Sequence, residues 1–237
     1  DLIPNLKYGL HAPQRLVWLG RMKELHCISA DPQGGLTIGA MCTLAEIVAS
    51  PDVRRWYPSL AEAAESVASP AIRNRATLGG NLCLDTRCYY YNESEFWRIA
   101  LGGCLKLKVN GGDGGDMCHA APGRSVCSAV FSSDTAPLLV ALHASVRLVG
   151  AAGERAMTLA EFYTNDGVRH LGLTPGEILA EIILPPPPPG LRAAHRKVRQ
   201  RASIDYPLVN AGIALQMGSD HVLHNVRVII GAVASAP

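Results

Sequence analysis

A glycine-rich stretch between residues 85 and 133 that carries four cysteines is the feature that most constrains this chain. The cysteines are Cys88, Cys104, Cys118 and Cys127. Hydrophobic periodicity is lost in this stretch, and a loop of such length inside a compact domain is usually either functional or disordered. Soft thiolates gathered in one irregular segment favour a metal or iron-sulfur centre over ordinary packing. The sequence therefore predicts a functional loop that folds around a ligand.

Composition and charge narrow the class of protein. The 237 residues are 48% hydrophobic and 18% charged, which is enough to bury a core without disulfide support. A net charge of +2, with Lys and Arg scattered along the chain, argues against a nucleic-acid partner. No apolar run approaches the roughly 20 residues that span a bilayer, and no signal peptide opens the chain. We therefore expect a cytoplasmic protein with no membrane partner, whose seven cysteines are free or metal-bound.

Local patterns indicate a mixture of helices and strands. Leu36 to Ala40 is typical of a short strand, and Ser/Thr-x-x-Glu capping boxes at Thr43, Ser59 and Thr158 predict three helices, the second running to about Ala68. Four further segments are rich in aliphatic residues and predict strands: Ser145 to Val149, Ile178 to Leu184, Asn210 to Met217 and Val222 to Val233. Because these elements follow no strict βαβ rhythm, the predicted fold class is α+β.

Two breaks divide the chain into predicted domains. The proline run in 185–190 cannot donate ladder hydrogen bonds and should hold an extended linker. We expect a first domain over 1–184, with 85–133 as a loop insertion, and the start of a second domain over 191–237. Since the chain begins without Met and ends directly after an apolar strand, we expect both domains to be truncated.

The segment Thr77-Leu78-Gly79-Gly80-Asn81 is a candidate nucleotide-binding turn. Two adjacent glycines offer no Cβ to obstruct a ligand, and backbone amides at such a turn can bind phosphate or a flavin oxygen. An ordinary turn has the same pattern, so the spacing alone leaves both interpretations open.

Taken with several other blocks, this turn resembles the FAD-binding subunits of molybdenum hydroxylases, the group that contains xanthine dehydrogenase and carbon monoxide dehydrogenase. The other blocks are Asp1-Leu2-Ile3-Pro4, Ser133-Asp134-Thr135-Ala136-Pro137, Gly176-Glu177-Ile178-Leu179 and Lys197-Val198-Arg199-Gln200-Arg201 with Asp205-Tyr206. The resemblance implies a two-subdomain FAD-binding fold of the vanillyl-alcohol oxidase type, followed by part of a small α+β C-terminal domain.

The same resemblance implies a set of FAD-binding residues. Asp1 and Leu2 are assigned to the pyrophosphate loop, and Asp134 to a hydrogen bond on the ribityl or phosphate side. Lys197 is placed near the isoalloxazine, where a cation would stabilise the anionic reduced flavin. The central turn supplies Thr77, Gly79, Gly80 and Asn81, and Leu179 packs on the cofactor. Alternatively, Lys197 is a solvated charge at a strand edge and Leu179 is simply a core residue.

The cysteine loop is similar to the insertion in the β subunit of 4-hydroxybenzoyl-CoA reductase, which carries an additional 4Fe-4S cluster. By that resemblance Cys88, Cys104, Cys118 and Cys127 are the four ligands. Cys83 is a reserve ligand, whereas Cys27 and Cys42 are expected in the core and His119 in solvent. A zinc site built from the same four thiolates is the main rival, although the chain has no Cys-x-x-Cys pair.

The implied function is electron transfer within a complex. Electrons would pass between the 4Fe-4S cluster, FAD, the two 2Fe-2S clusters of a small partner subunit and the molybdenum cofactor of a large one. A ferredoxin would be a possible donor, with the loop cluster as the point of entry. Two other classes stay open: a zinc-stapled binding module without flavin, and a stand-alone flavin oxidase of the vanillyl-alcohol type.

Overall fold

Two antiparallel sheets form the framework of the computed structural model, which describes residues 2–109 and 114–237. The larger sheet contains β1 (Ile28–Ala30), β2 (Leu36–Gly39), β3 (Ser145–Gly150), β4 (Gly153–Thr158) and β5 (Ile178–Leu184), in the order β1-β2-β5-β3-β4. The smaller sheet contains β6 (Leu191–Val198), β7 (Val209–Met217) and β8 (Leu223–Gly231), in that order. Every pairing between these strands is antiparallel. Strand β5 lies between β2 and β3, although both precede it in the sequence.

Short helices pack around these sheets. They are α1 (Leu2–Lys7), α2 (Leu44–Ala49), α3 (Pro51–Trp56), α4 (Pro58–Glu65), α5 (Pro70–Arg73), α6 (Leu78–Leu82), α7 (Glu95–Ala100), α8 (Leu105–Val109), α9 (Ala136–Ala141) and α10 (Leu159–Phe162), with a 3-10 turn at Lys23–Leu25. In the described ranges, no helix has the length and apolar character needed to cross a bilayer. The cytoplasmic location stays a prediction.

The core lies where the larger sheet meets its helices. Ile182 of the central strand β5 pairs with Ile38 on one side and Val146 on the other, and none of the three side chains is exposed. All residues of α9 are buried, because this helix also contacts β7 and β8 of the smaller sheet. The two sheets therefore share one helix, and α9 fixes the position of the residues just before it.

Most of the local predictions are confirmed. The capping boxes at Thr43 and Thr158 make both of their reciprocal hydrogen bonds. The Ser59 box is wrong: α4 begins at Pro58 with Tyr57 as its N-cap, and it ends at Glu65. Proline is favoured at the first helical position, so it starts this helix two residues earlier than the hydroxyl pattern suggests.

The strand predictions are confirmed for β3, β5, β7 and β8, and the mixed α/β architecture is as expected. The sequence missed β6, whose Arg, His and Lys residues hide the apolar alternation, and it missed the largely exposed β4. In the described part of the four-cysteine stretch, the helices are α7 and α8, and a bridge between Arg87 and Val130 joins its ends. The predicted domain boundaries remain predictions.

Candidate functional site

The predicted flavin turn forms the short helix α6, with Thr77 as its N-cap. The Thr77 hydroxyl accepts a hydrogen bond from the Gly80 amide at 3.0 Å. A Cβ on Gly79 would lie 2.6 Å from the Cβ of Ala40 and 2.8 Å from its carbonyl oxygen, so only glycine fits against the end of β2. Gly80 is exposed on the outer side of the turn. The turn therefore presents glycine backbone to solvent while its inner side is fixed to the sheet.

Asn81 connects this turn to the segment before α9. Its Oδ1 accepts hydrogen bonds from the hydroxyls of Ser133 and Thr135, each at 2.7 Å, and from the Thr135 amide at 3.4 Å. All three residues are buried. Asn81 thus positions two family blocks relative to each other, a role that its sequence position did not reveal; a direct contact with FAD stays a prediction.

Asp134 and Lys197 form a buried ion pair. The Lys197 ammonium lies 2.7 Å from Asp134 Oδ2 and also donates to the Ser66 carbonyl at 3.2 Å. The side chains are 4% and 5% exposed for Lys197 and Asp134, so the interpretation of Lys197 as a solvated strand-edge charge is wrong. Burial raises the pKa of the Asp134 carboxyl, whereas the Lys197 charge and a hydrogen bond from Asn210 oppose that rise. Because Asp134 lies between Ser133 and Thr135, the pair holds a cation beside the hydrogen bonds among Asn81, Ser133 and Thr135, which we call the turn network.

The remaining predicted FAD residues are Asp1, Leu2 and Leu179. Leu179 is a buried member of the hydrophobic core, and Leu2 is exposed in α1. Asp1 lies outside the described residues. For these three, contact with a cofactor stays a prediction.

The four cysteines of the long loop converge on one small cavity, although they are far apart in sequence. Cys88, Cys104, Cys118 and Cys127 all line it, together with Tyr90, Tyr91, Leu105, Lys106, His119 and Ala120. Across residues 2–109 and 114–237, no group of three or more His, Cys, Asp or Glu side chains is compact enough to hold a single metal ion. The four thiols therefore line one cavity without forming a recognisable single-metal site in the described residues.

The environment of these thiols controls how readily they become thiolates. Burial raises the pKa of both the Cys88 and the Cys127 thiols. Burial acts in the same direction on Cys118, but hydrogen bonds from Ser128 and Ala121 outweigh it and hold the pKa of this thiol below its usual value. Because only thiolates ligate metals, binding at this cavity would displace protons from the buried cysteines.

Lys106 anchors one wall of the cavity. Its side chain is 2% exposed, and its ammonium donates to Asp85 Oδ1 at 2.7 Å, to the Thr86 hydroxyl at 2.7 Å and to the Thr86 carbonyl at 2.9 Å. The ammonium also lies 4.9 Å from the centroid of the Tyr91 ring. A fully buried and fully hydrogen-bonded cation therefore faces a cluster of four thiols, which the sequence pattern did not predict.

The other cysteines and His119 test the choice of ligands. Cys83 packs against the hydrophobic core, where burial raises the pKa of its thiol to about 12, so it does not join the cavity as a reserve ligand. Cys42 is buried as expected, but Cys27 is exposed and the prediction of a core position was wrong. The prediction for His119 was also wrong, since this half-buried residue lines the cavity and hydrogen-bonds to the Gly103 carbonyl at 2.7 Å.

A groove of about 500 Å³ lies next to the cysteine cavity, and no sequence motif indicated it. Cys88 and Tyr90 belong to both spaces, and Ser132, next to the Asn81 network, lines the far side of the groove. The Arg87 guanidinium stacks 4.5 Å from the centroid of the Tyr206 ring on its wall. Its size and aromatic lining are typical of sites for planar cofactors.

Comparisons with known proteins give a consistent result. Residues 1–187 match the family model described as the FAD binding domain in molybdopterin dehydrogenase. The aldehyde oxidoreductase FAD-binding subunit PaoB of Escherichia coli is 34% identical over all of this chain and 73% of its own length. The carbon monoxide dehydrogenase medium chain of Hydrogenophaga pseudoflava is 25% identical over 99% of this chain and 64% of its own length.

A solved structure shows the same fold. Reconstituted CO dehydrogenase from Oligotropha carboxidovorans superposes on all of this chain with a TM-score of 0.74 and 24% identity. The match covers 65% of that chain. The chain thus spans less than two thirds of the two carbon monoxide dehydrogenase chains, and the similarity to the solved one is a similarity of fold.

Proposed function

The chain belongs to the family of FAD-binding domains of molybdopterin dehydrogenases, and from that premise we propose that it is an electron-transfer subunit that holds both FAD and a 4Fe-4S cluster. It performs no bond-making on an organic substrate. The observation that carries the proposal is the convergence of the four loop thiols on one cavity beside an aromatic groove. The fold is proposed to be the two-subdomain vanillyl-alcohol oxidase type with an iron-sulfur insertion.

The residues of the turn and the groove fit FAD. Bound FAD supplies chemistry that accepts or donates two electrons and passes them on singly. The exposed Gly80 backbone leaves room for a phosphate or a flavin oxygen, and the Asp134–Lys197 pair keeps a cation at the base of the same network. The Tyr206 ring and the Arg87 guanidinium offer the groove an aromatic wall and a second cation, as a ring that becomes negative on reduction requires.

The cysteine cavity fits an iron-sulfur cluster better than a zinc ion. A 4Fe-4S cluster exchanges single electrons and is held by four thiolates, one on each iron. A tetrahedral zinc ion would use the same four thiolates, but the usual zinc ribbon supplies its ligands as Cys-x-x-Cys pairs, and this chain has none. Cys88, Cys104, Cys118 and Cys127 would be the ligands, and Tyr90 and Tyr91 would shield them from water.

The partners follow from the names of the relatives. One is the FAD-binding subunit of an aldehyde oxidoreductase and others are medium chains of carbon monoxide dehydrogenases, so both kinds work as parts of larger assemblies. We propose a large subunit with the molybdenum cofactor and a small 2Fe-2S subunit as partners of this chain, and a ferredoxin as external donor through the loop cluster. In this respect the chain would work like the 4-hydroxybenzoyl-CoA reductase β subunit.

Metal and flavin analysis of the anaerobically purified complex separates this proposal from its alternatives. We expect iron, sulfide and flavin in a ratio of about 4:4:1, as one 4Fe-4S cluster and one FAD require, and a brown-yellow colour that dithionite bleaches. A colourless protein with one zinc would support the zinc-stapled module. Turnover with molecular oxygen by the isolated chain would support a stand-alone flavin oxidase.

Single cysteine substitutions test the ligand assignment. Cys104→Ser removes a thiolate from the cavity, so we expect most of the iron to be lost while FAD remains at its normal occupancy. Cys27→Ser is the matched control because Cys27 is exposed and does not line the cavity. Unchanged iron in Cys104→Ser, or equal loss of iron in both variants, would contradict the assignment.

A further inference from the structure

The buried cation at the cysteine cavity needs an explanation beyond folding. Removing an ammonium group from water is unfavourable, and replacing a buried ion pair by apolar residues is often neutral or stabilising. Lys106 is nevertheless 2% exposed, and all three of its ammonium hydrogens point to acceptors on Asp85 and Thr86. These bonds fix the charge in one position on the wall of the cavity.

Lys106 shares the small cavity with all four thiols. Its ammonium lies 4.9 Å from the centroid of the Tyr91 ring, which lines the same cavity. The partner Asp85 is only partly buried, at 21% exposed, and its second oxygen lies 3.2 Å from His11 at the surface. Water therefore screens part of the negative charge of the pair, whereas the Lys106 ammonium is shielded from water in the wall of the cavity.

We propose that Lys106 is a positioning residue that raises the reduction potential of the 4Fe-4S cluster, an inference that rests on the cluster assignment above. A cluster held by four thiolates is negatively charged and gains one more negative charge when it takes up an electron. A nearby cation whose field is not screened by water stabilises the reduced form more than the oxidised form.

Helix α8 provides a matched control on the same segment. Lys108 lies two residues after Lys106, but it is 55% exposed and pairs with the exposed Asp116. Both substitutions, Lys106→Gln and Lys108→Gln, remove one positive charge from α8. Only Lys106 lines the cavity, so a specific effect on the cluster must separate the two variants.

The test is a redox titration of the purified complex, followed by the electron paramagnetic resonance signal of the reduced cluster. Relative to the wild type, Lys106→Gln should disfavour reduction at least tenfold, which is 59 mV for a one-electron couple. Lys106→Arg should keep most of the wild-type potential because it keeps the charge, and Lys108→Gln should leave it unchanged. Equal potentials in the wild type and Lys106→Gln would overturn the inference.

A second variant covers the case in which Lys106→Gln fails to retain iron. Asp85→Asn removes the negative partner and leaves the cation, so the potential should rise; a fall or no change would then overturn the inference. The iron content of the wild type keeps the two proposals apart. Iron in the wild type with no response to Lys106→Gln removes only the role of Lys106, whereas a wild-type complex with FAD and no iron overturns the cluster and this inference together.

Discussion

The network around Asn81 and the loop of four cysteines differ in what holds them in place. Asn81, Ser133 and Thr135 are neutral, fully buried and hydrogen-bonded to one another against the core. The described part of the loop has two short helices, α7 and α8, and the charged group of the buried Lys106 bonds to Asp85 and Thr86. The turn network is thus held by hydrogen bonds between buried neutral groups, whereas the described part of the loop depends on a few polar and charged contacts.

The largest effect should come from breaking the turn network. Asn81→Leu leaves the hydroxyls of Ser133 and Thr135 without their acceptor in a buried site. We expect the free energy of unfolding to fall by about 2–4 kcal/mol, because buried unsatisfied polar groups are strongly unfavourable. Urea denaturation of the chain measures this directly.

The control for this variant is Asn74→Ala, at an exposed position that ends α5. Exposed substitutions of this kind change the free energy of unfolding by at most about 0.5 kcal/mol. Equal stability of Asn81→Leu and Asn74→Ala would show that the hydrogen bonds of Asn81 do not stabilise the fold, against the comparison made above.

A smaller effect on stability, with a specific effect on iron, should come from crowding the cysteine loop. Gly167 packs directly on Cys127: an added Cβ would lie 2.7 Å from the Ala129 amide nitrogen and 2.8 Å from Cys127 Sγ. Gly167→Ala should destabilise the chain by about 1–3 kcal/mol as an overpacked site does, and it should lower the iron content by displacing a ligand.

Gly172→Ala is the matched control for Gly167→Ala. A Cβ at Gly172 meets its nearest neighbour, the Phe162 carbonyl oxygen, at 3.4 Å, which is an ordinary contact. We expect full iron occupancy in this variant, measured by iron analysis beside the stability of both proteins. A wild-type iron content in Gly167→Ala would show that the loop tolerates movement of Cys127. The turn network and the cysteine loop would then differ less than we infer.

The smallest effect should come from an exposed ion pair, which gauges how much a charge contributes when it is not buried. Glu177 accepts hydrogen bonds from Arg155 at 2.7 Å and 2.8 Å, and this interaction lowers the pKa of its carboxyl from 4.5 to about 2. A lowered carboxyl pKa stabilises the folded state above 4.5, and the stabilisation disappears as the pH falls toward 2.

Glu177→Gln should therefore be slightly less stable than the wild type at neutral pH, and the difference should shrink as the pH falls below 4.5. Thermal melting at several pH values, with the exposed Glu65→Gln as control, checks the sign. A difference that grows on acidification would contradict the assignment of this pair.

Structural features that depend on residues close together in the sequence could be predicted from it. The capping boxes at Thr43 and Thr158 were correct because cap and carboxylate are three residues apart. At Ser59 a competing local signal, Pro58, decided the helix start. Strand β6 was missed because its Arg, His and Lys residues hide the apolar alternation, and Lys197 among them forms a buried ion pair that no periodicity predicts.

The candidate site could be predicted only in part for the same reason. The family blocks and the four loop cysteines were readable as residue types in order, and they sufficed to indicate flavin and iron-sulfur chemistry. The groove could not be predicted, because Arg87 and Tyr206 are separated by more than a hundred positions and nothing in the Asp205-Tyr206 block indicates that Tyr206 meets Arg87. The position of His119 on the wall of the cysteine cavity could not be predicted either, because it depends on how the loop folds in three dimensions.

By itself, the sequence determined the family, the local helix starts and the presence of four soft thiols in one loop. Only the tertiary structure decided that Asn81 meets Ser133, that Asp134 meets Lys197 and that Lys106 faces the thiols. The physical reason is that burial strengthens the interactions of charges and hydrogen bonds. Which groups are buried depends on segments that are far apart in the chain.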